Sequence, residues 1–152
     1  IYTLSLHDAL PILVIIRPWP DAENIICELL DAFAAECDPA PQVCTWIPAD
    51  YEKIIRQHPL IVIQRIGGVA AVADQVDKPI IEIGVVSKRR DVSNDLLRHI
   101  RAWMLDNQAE EFSRTVRIID VAEVQGPTMP VWVNPEDRYV KALFTFAIRR
   151  PR

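Results

Sequence analysis

Two stripes of apolar residues along the chain predict its helices. Residues 25–33 carry isoleucine, leucine and phenylalanine at helical intervals, and residues 96–104 form a second such stripe. Asp21 precedes the first stripe and is of the residue type that caps a helix N-terminus. We expect the first helix to end before Asp38, because Pro39 follows it and residues before proline avoid the helical region. The pattern predicts two amphipathic helices.

Alternating apolar positions and runs of β-branched residues predict four strands. They are residues 60–66, 80–87, 115–124 and 140–148. Gly67 and Gly68 are expected to end the first strand, and Pro79 is expected to open the second. Residues 69–78 then form a hairpin-like connection. Residues 43–51 are expected to be a short extended piece.

The predicted order of elements is α-β-β-α-β-β, which is typical of an α+β fold. Gly126 and Pro127 are expected to break the chain after the third strand, and residues 129–133 to be extended. We expect a single domain in which two helices pack on the same face of a mostly antiparallel sheet of about four strands. The length of the chain fits one domain with one hydrophobic core.

The N-terminal segment, residues 1–12, resembles the in-frame translation of a common Illumina sequencing adapter. We therefore expect residues 1–12 to be an artefact and residues 13–152 to be the native domain. On this interpretation the natural start is missing from the sequence. The apolar residues of the segment should then have no dedicated place in the fold.

Charge and composition narrow the class of protein. The chain carries 17 Lys and Arg against 21 Asp and Glu, a net charge of −4 that becomes −3 without Asp8. This acidic balance argues against a general nucleic-acid binder. No apolar stretch is long enough to cross a bilayer, so no membrane association is predicted. The three cysteines are odd in number and lack zinc-ligand spacing, which suggests a reducing compartment.

Side chains that could carry catalysis are few and weakly placed. Cys27, Cys44 and His58 are the candidates for a nucleophile and its base. Cys27 lies within the first predicted helix, which is typical of a packing residue, and His58 stands at a strand entrance, which is typical of the surface. His99 follows Asp95 by four residues, as in an exposed helical pair. We expect no catalytic site and no enzyme.

Metal and cofactor sites are not indicated either. Asp74, Asp77 and Glu82 are near one another in sequence, but no histidine or cysteine ligand motif accompanies them. Gly67 and Gly68 lead from one strand into another rather than into a helix, which favours a hairpin bend over a phosphate-binding loop. We expect neither a metal nor a cofactor.

One basic run, Lys88-Arg89-Arg90, precedes the second predicted helix. Cations are disfavoured at that end of a helix dipole, so the run is typical of a solvated loop. The more specific alternative is that the run contacts an acidic neighbour or DNA phosphates.

Three further groups of residues recur in a family pattern. They are Ile63-Gln64-Arg65-Ile66-Gly67-Gly68 with Asp77-Lys78-Pro79-Ile80-Ile81-Glu82-Ile83; the helix of residues 94–104; and Gly126-Pro127 with the Pro135-Glu136-Asp137 turn and the strand of residues 138–146. In this order and spacing they resemble the tail terminator (tail completion) proteins of long-tailed actinobacterial phages and prophages. The resemblance covers most of residues 22–149.

This resemblance implies a structural role in virion assembly. Such proteins form a ring, usually a hexamer, on the end of the finished tail tube, where the ring stops tube polymerisation and meets the head-side connector. It implies self-association, contacts with the tail tube protein and the connector, and DNA that passes through the ring without sequence-specific binding. The location implied is the virion tail or neck, after assembly in the host bacterial cytoplasm. The contact residues we expect are Arg65, Gly67, Gly68, Asp77, Lys78, Lys88, Arg89, Arg90, Pro135, Glu136, Asp137 and Arg138.

Other functions remain open from the sequence. The same small α+β domain suits a head-closure or neck component of the same assembly. A small hydrolase or ligand-binding domain would use Cys44 or His58. A nucleic-acid-binding module would use the basic run of residues 88–90, although the net acidity and the absence of interleaved aromatic residues argue against it.

Overall fold

A five-stranded sheet and three helices make up the fold of the computed structural model, which describes residues 16–106, 116–132 and 134–151. In chain order the elements are α1 (Ala22–Ala34), β1 (Gln42–Cys44), α2 (Tyr51–Ile54), β2 (Leu60–Ala71), β3 (Val76–Ser87), α3 (Arg90–Asp106), β4 (Ile118–Thr128) and β5 (Arg138–Arg149). The strands lie in the order β1-β2-β3-β5-β4. The β1–β2 pair is parallel, and the other pairs are antiparallel.

The predicted α+β class is correct, but the predicted number and order of elements are wrong. The additional strand β1 has three residues and the additional helix α2 has four. Neither is long enough to show a periodicity in the sequence. β1 exists through its parallel pairing with the start of β2, from Gln42 opposite Leu60 to Cys44 opposite Val62. The sheet is consequently mixed.

The hairpin between β2 and β3 also differs from the prediction. Gly67 and Gly68 do not end a strand, and Pro79 does not open one, because the two strands continue until Ala71 stands opposite Val76. Only residues 72–75 form the turn. Long-range pairing has overridden the local tendency of glycine and proline to interrupt strands.

β4 runs through Gly126 and Pro127, which were expected to break the chain. Among the described residues the strand pairs with β5 alone, and a register shift falls between Gln125 and Thr128. An edge strand tolerates proline at such an irregularity, because no ladder partner needs the missing N–H. Of the expected extended piece, residues 129–132 form no strand, while Val133 and the predicted start of β4 at Thr115 lie outside the described residues.

The core confirms that the two predicted helices share one face of the sheet. Apolar side chains of α1 and α3 pack on inward-facing residues of β2, β3, β4 and β5. Between the two helices, the aromatic side chains of Phe33 and Trp103 are in contact. The cap of α1 is as predicted, since Asp21 accepts a hydrogen bond from the N–H of Asn24. The opposite face carries a smaller cluster under α2, which includes Ile55 and Tyr139. Residues 1–12 lie outside the described residues, so their interpretation as an artefact stays a prediction.

Candidate interaction surface

The end of the β2–β3 hairpin, residues 66–79, is what we call the arm. A β-bulge between Arg65 and Gly67 leaves Ile66 without a partner on β3. Bulges re-aim the side chains that follow them. Gly68 has φ +103°, and a Cβ built on it would lie 2.2 Å from the carbonyl oxygen of Lys78. The close approach of the two strands beside Pro79 therefore requires glycine at position 68.

The base of the arm is held by Arg65 and Asp77. The Arg65 guanidinium donates to both carboxylate oxygens of Asp77, and its Nε donates to the carbonyl oxygen of Gly67 at 3.2 Å. Asp77 is 1% exposed. On the outer edge of β2, the Arg65 N–H donates to the Glu23 carboxylate of α1 at 2.7 Å. These bonds fix the β2 side of the arm, whose β3 strand stays paired with β5 as far as Val76.

The tip of the arm is tied to the C-terminal segment. Gln75 takes a left-handed conformation with φ 54°, and its carbonyl oxygen accepts from the N–H of Arg150 at 2.8 Å. The Arg150 guanidinium donates to the Gln75 side chain at 3.1 Å and lies over the Trp19 ring. A backbone bond and a side-chain bond thus hold the tip in place.

What the arm presents outward is apolar. Ile66 is 50% exposed, Val69 69% and Val72 67%. Beyond Val62, the outer edge of β2 has no strand partner within the part of the chain that the structure describes. An unpaired edge with exposed apolar side chains is a surface on which another chain can add. Lys78, also expected to make contacts, is exposed beside it.

A second set of predicted contact residues meets at a charged corner, formed by Glu52, Lys88 and residues 134–138. Lys88 Nζ lies 2.6 Å from Glu52 Oε2 and 2.6 Å from Asp137 Oδ1. The Asn134 side chain donates to the other Glu52 oxygen at 3.0 Å. The Asp137 side chain is fully buried. Tertiary structure thus brings the basic run and the predicted turn together, through a glutamate that the sequence did not single out.

The electrostatics of the corner follow from these bonds. Hydrogen bonds from Lys88 and then Asn134 lower the pKa of Glu52 to about 2. The bond to Asp137, followed by the bond to Glu52, raises the pKa of Lys88. The Glu52 carboxylate and the Lys88 ammonium therefore stay charged at neutral pH. The corner joins α2, the start of α3 and the turn before β5.

The turn itself is internally braced. Arg138 donates to the carbonyl oxygens of Pro135 and Glu136, at 3.0 and 2.9 Å. The N–H of Glu136 donates to the Asn134 side chain at 3.1 Å. Pro135 and Glu136 are exposed. The exposed side chains of the turn are therefore displayed on a rigid frame.

The remaining basic residues differ in their freedom. Arg89 is bound to Asp91, which raises the pKa of Arg89 and lowers that of Asp91. Arg90 is exposed, and no ion pair of its side chain is found among the described residues. Of the run, Arg90 is thus the cation most available to an external group.

Residues considered for catalysis are not arranged as a reactive pair. The thiol of Cys44 donates to the carbonyl oxygen of Ile61 at 3.5 Å, and burial raises its pKa to about 11. His58 lines a cleft of about 690 Å³ between the ends of α1 and α2 and the start of α3, whereas Cys44 does not. A raised pKa disfavours the thiolate that a nucleophile requires.

Two further features are absent from the described residues. No group of three or more histidine, cysteine, aspartate or glutamate side chains there could hold a metal ion. No helix there combines the length and apolar character needed to cross a membrane.

Comparison with known protein families gives a match over most of the chain. A family model described as "Phage tail termination protein" matches residues 18–152. No curated protein matches the chain. The matched range contains the arm, the charged corner and all eight elements of the fold.

Proposed function

The chain belongs to the phage tail termination protein family, and on that premise we propose that it forms a ring on the end of the tail tube. Membership implies a structural role in tail assembly and a location in the virion tail. The proposed ring, a hexamer, stops polymerisation of the tube and provides the joint to the head-side connector. Its role is structural and not enzymatic.

The arm is the observation that carries this proposal. A closed ring is built by a heterologous contact, in which one surface of each copy meets a different surface of the next. The arm offers an open β2 edge together with Ile66, Val69 and Val72 exposed on a braced hairpin. Apolar groups on a rigid frame bind with a small loss of conformational freedom.

The expected contact residues divide into two groups under this proposal. Lys78, Arg89, Arg90, Pro135 and Glu136 are exposed, and we propose them as groups that touch a neighbour. The others shape the surfaces from within the chain. They are Arg65, Gly67, Gly68 and Asp77 in the arm, and Lys88, Asp137 and Arg138 at the corner.

The partners follow from the proposed position in the virion. We propose contacts with other copies of the chain, with the tail tube protein below and with the head-side connector above. DNA passes through the ring without sequence-specific contacts, in keeping with the net acidic charge of the chain. Assembly takes place in the host bacterial cytoplasm, and no cofactor is required.

Tube length measured by electron microscopy tests the proposal. The native chain, added to polymerising tail tube protein of the same phage, should cap the tubes and shorten their length distribution. Val69→Asp places a charge on the exposed arm and should abolish capping. Val131→Asp is the matched control, because Val131 is 93% exposed and lies outside the arm. A native chain that stays monomeric at high concentration and in the presence of tube protein would disprove the ring.

A further inference from the structure

Charge is distributed very unevenly between two parts of this chain. Residues 21–52 contain eight acidic residues and no lysine, arginine or histidine. Residues 88–101 instead contain five lysine or arginine side chains and one histidine against two aspartates. The first stretch includes α1 and the second includes most of α3. α1 itself carries three acidic residues and no base, whereas the three arginines of α3 are balanced by three aspartates, so what matters in α3 is the side on which its arginines lie.

On the face that they share, the two helices lie toward opposite edges of the sheet. α1 packs on β1 and β2, whereas α3 packs on β3, β5 and β4. The aromatic side chains of Phe33 and Trp103 touch, with 5.5 Å between their centroids. This contact identifies the sides on which the two helices face each other. The remaining sides of α1 and α3 consequently point toward the two lateral ends of the molecule.

The exposed side of α1 is acidic. Glu28 and Asp31 are exposed, and no ion pair of either is found among the described residues. Their charge is felt by a neighbouring group, because after burial it is Asp31 and then Glu28 that raise the pKa of Cys27. Together with the open edge of β2, residues 66–71, these two carboxylates form what we call the acidic flank.

The lateral side of α3 is basic. Arg90, Arg98 and Arg101 are separated by eight and three residues, which places them on one side of a helix. That side faces β4, because the Arg101 guanidinium binds Glu123 of β4 with Nη2 at 2.9 Å from the carboxylate. The Arg98 side chain is 71% exposed, and its Nη1 lies 3.8 Å from Asp95 Oδ1. An exposed ion pair of this kind contributes little energy. These arginines and the outer edge of β4 form the basic flank.

The exposed sheet edges of the two flanks, β2 and β4, lie at the same position along the strand direction. Following the register across the sheet, Ala70 of β2 lies level with Ile118 of β4. Gly67 likewise lies level with Ala122. β4 runs opposite to β2, since three antiparallel pairings separate them. A copy placed alongside in the same orientation would set its β4 antiparallel to the open stretch of β2.

We propose that the basic flank of one copy of this chain docks against the acidic flank of the next. Arg90 and Arg98 of one copy then face Glu28 and Asp31 of its neighbour, and β4 continues the neighbour's sheet beside the arm. The contact is heterologous, so its repetition closes a ring when the rotation between copies allows it. This inference rests on the proposed ring and identifies the surfaces that would form it.

Charge reversal combined with mixing tests this pairing by sedimentation velocity. Asp31→Arg and Arg98→Asp should each weaken assembly about 10-fold or more, because each sets like charges against one another. An equimolar mixture of the two variants should recover native assembly, since a ring in which the variants alternate again pairs opposite charges at every interface. Asp50→Arg is the matched control, because Asp50 is exposed at the start of α2 and its side chain makes no capping bond. It should assemble like the native chain.

The outcomes separate this inference from the proposed function. If the native chain assembles and the single variants assemble equally well, the docking of the flanks is wrong while the ring stands. If the single variants fail and their mixture also fails, the pairing of Asp31 with Arg98 is wrong. If the native chain itself does not assemble, alone or with tail tube protein, the ring is wrong.

Discussion

Arg65 and Asp77 form a two-bonded ion pair across the base of the arm, with Nη1 to Oδ2 at 2.8 Å and Nη2 to Oδ1 at 3.0 Å. The Asp77 side chain is 2% exposed and that of Arg65 is 35% exposed. Two parallel hydrogen bonds strengthen an ion pair and also fix the relative orientation of its two side chains. Both residues belong to the segment that resembles the tail terminator pattern, so part of that pattern describes how the arm is built.

Removing the arginine should destabilise the protein. In Arg65→Met the Asp77 carboxylate stays buried without its partner, and the free energy of unfolding should fall by about 3 kcal/mol. Urea denaturation followed by circular dichroism measures this. Lys78→Met, an exposed neighbour, is the control and should change the value by less than about 0.5 kcal/mol. An Arg65→Met protein as stable as the control would show that the pair does not support the fold.

Two adjacent glycines should respond differently to alanine. Gly68→Ala forces a Cβ to 2.2 Å from the Lys78 carbonyl oxygen at φ +103°, and should cost about 2 kcal/mol of unfolding free energy. Gly67→Ala meets nothing closer than the Ile80 side chain at 4.0 Å and should stay within about 1 kcal/mol of the native protein. Thermal denaturation of both variants makes the comparison. Equal losses at the two positions would refute the geometric explanation.

The charged corner should make stability depend on pH in acid. The pKa of Glu52 is lowered from 4.5 to about 2, so its contribution is present above pH 4.5 and is lost as the pH falls toward 2. Glu52→Gln should therefore show a shallower fall in melting temperature across this window, and high salt should reduce the difference. Glu36→Gln, at an exposed carboxylate after α1, is the control. Parallel curves for native and Glu52→Gln proteins would contradict the assignment.

The Cys44 thiol should react slowly. With a pKa of about 11 instead of 9.0, its thiolate fraction at pH 8 is about 100-fold below that of an ordinary thiol. In the native chain, alkylation of Cys44 by iodoacetamide should be slower than in urea by about that factor. Mass spectrometry follows the rate. Alkylation as fast in the folded as in the unfolded protein would restore Cys44 as a candidate nucleophile.

Periodicity in the sequence was sufficient for α1, α3 and most of β5. The apolar stripes predict α1 and α3, and the alternation of residues 140–148 predicts most of β5, because each is long enough to show its own repeat. β1 and α2 could not be predicted in this way. Strand β1 is defined by its pairing with Leu60–Val62. Gly67, Gly68 and Pro79 are local signals of a break, which the β2–β3 pairing overrides.

The interaction surface shows the same division. By itself the sequence determined the residue types: an acidic stretch without bases, a basic run, and Arg65 and Asp77 within one segment. Only the tertiary structure decided that Lys88 meets Glu52, 36 residues away, and Asp137, 49 residues away. Helical spacing and capping depend on neighbours within about four residues, which a sequence displays directly. Ion pairs between distant segments, and the flanks on which opposite charges appear, depend on how the sheet orders its strands.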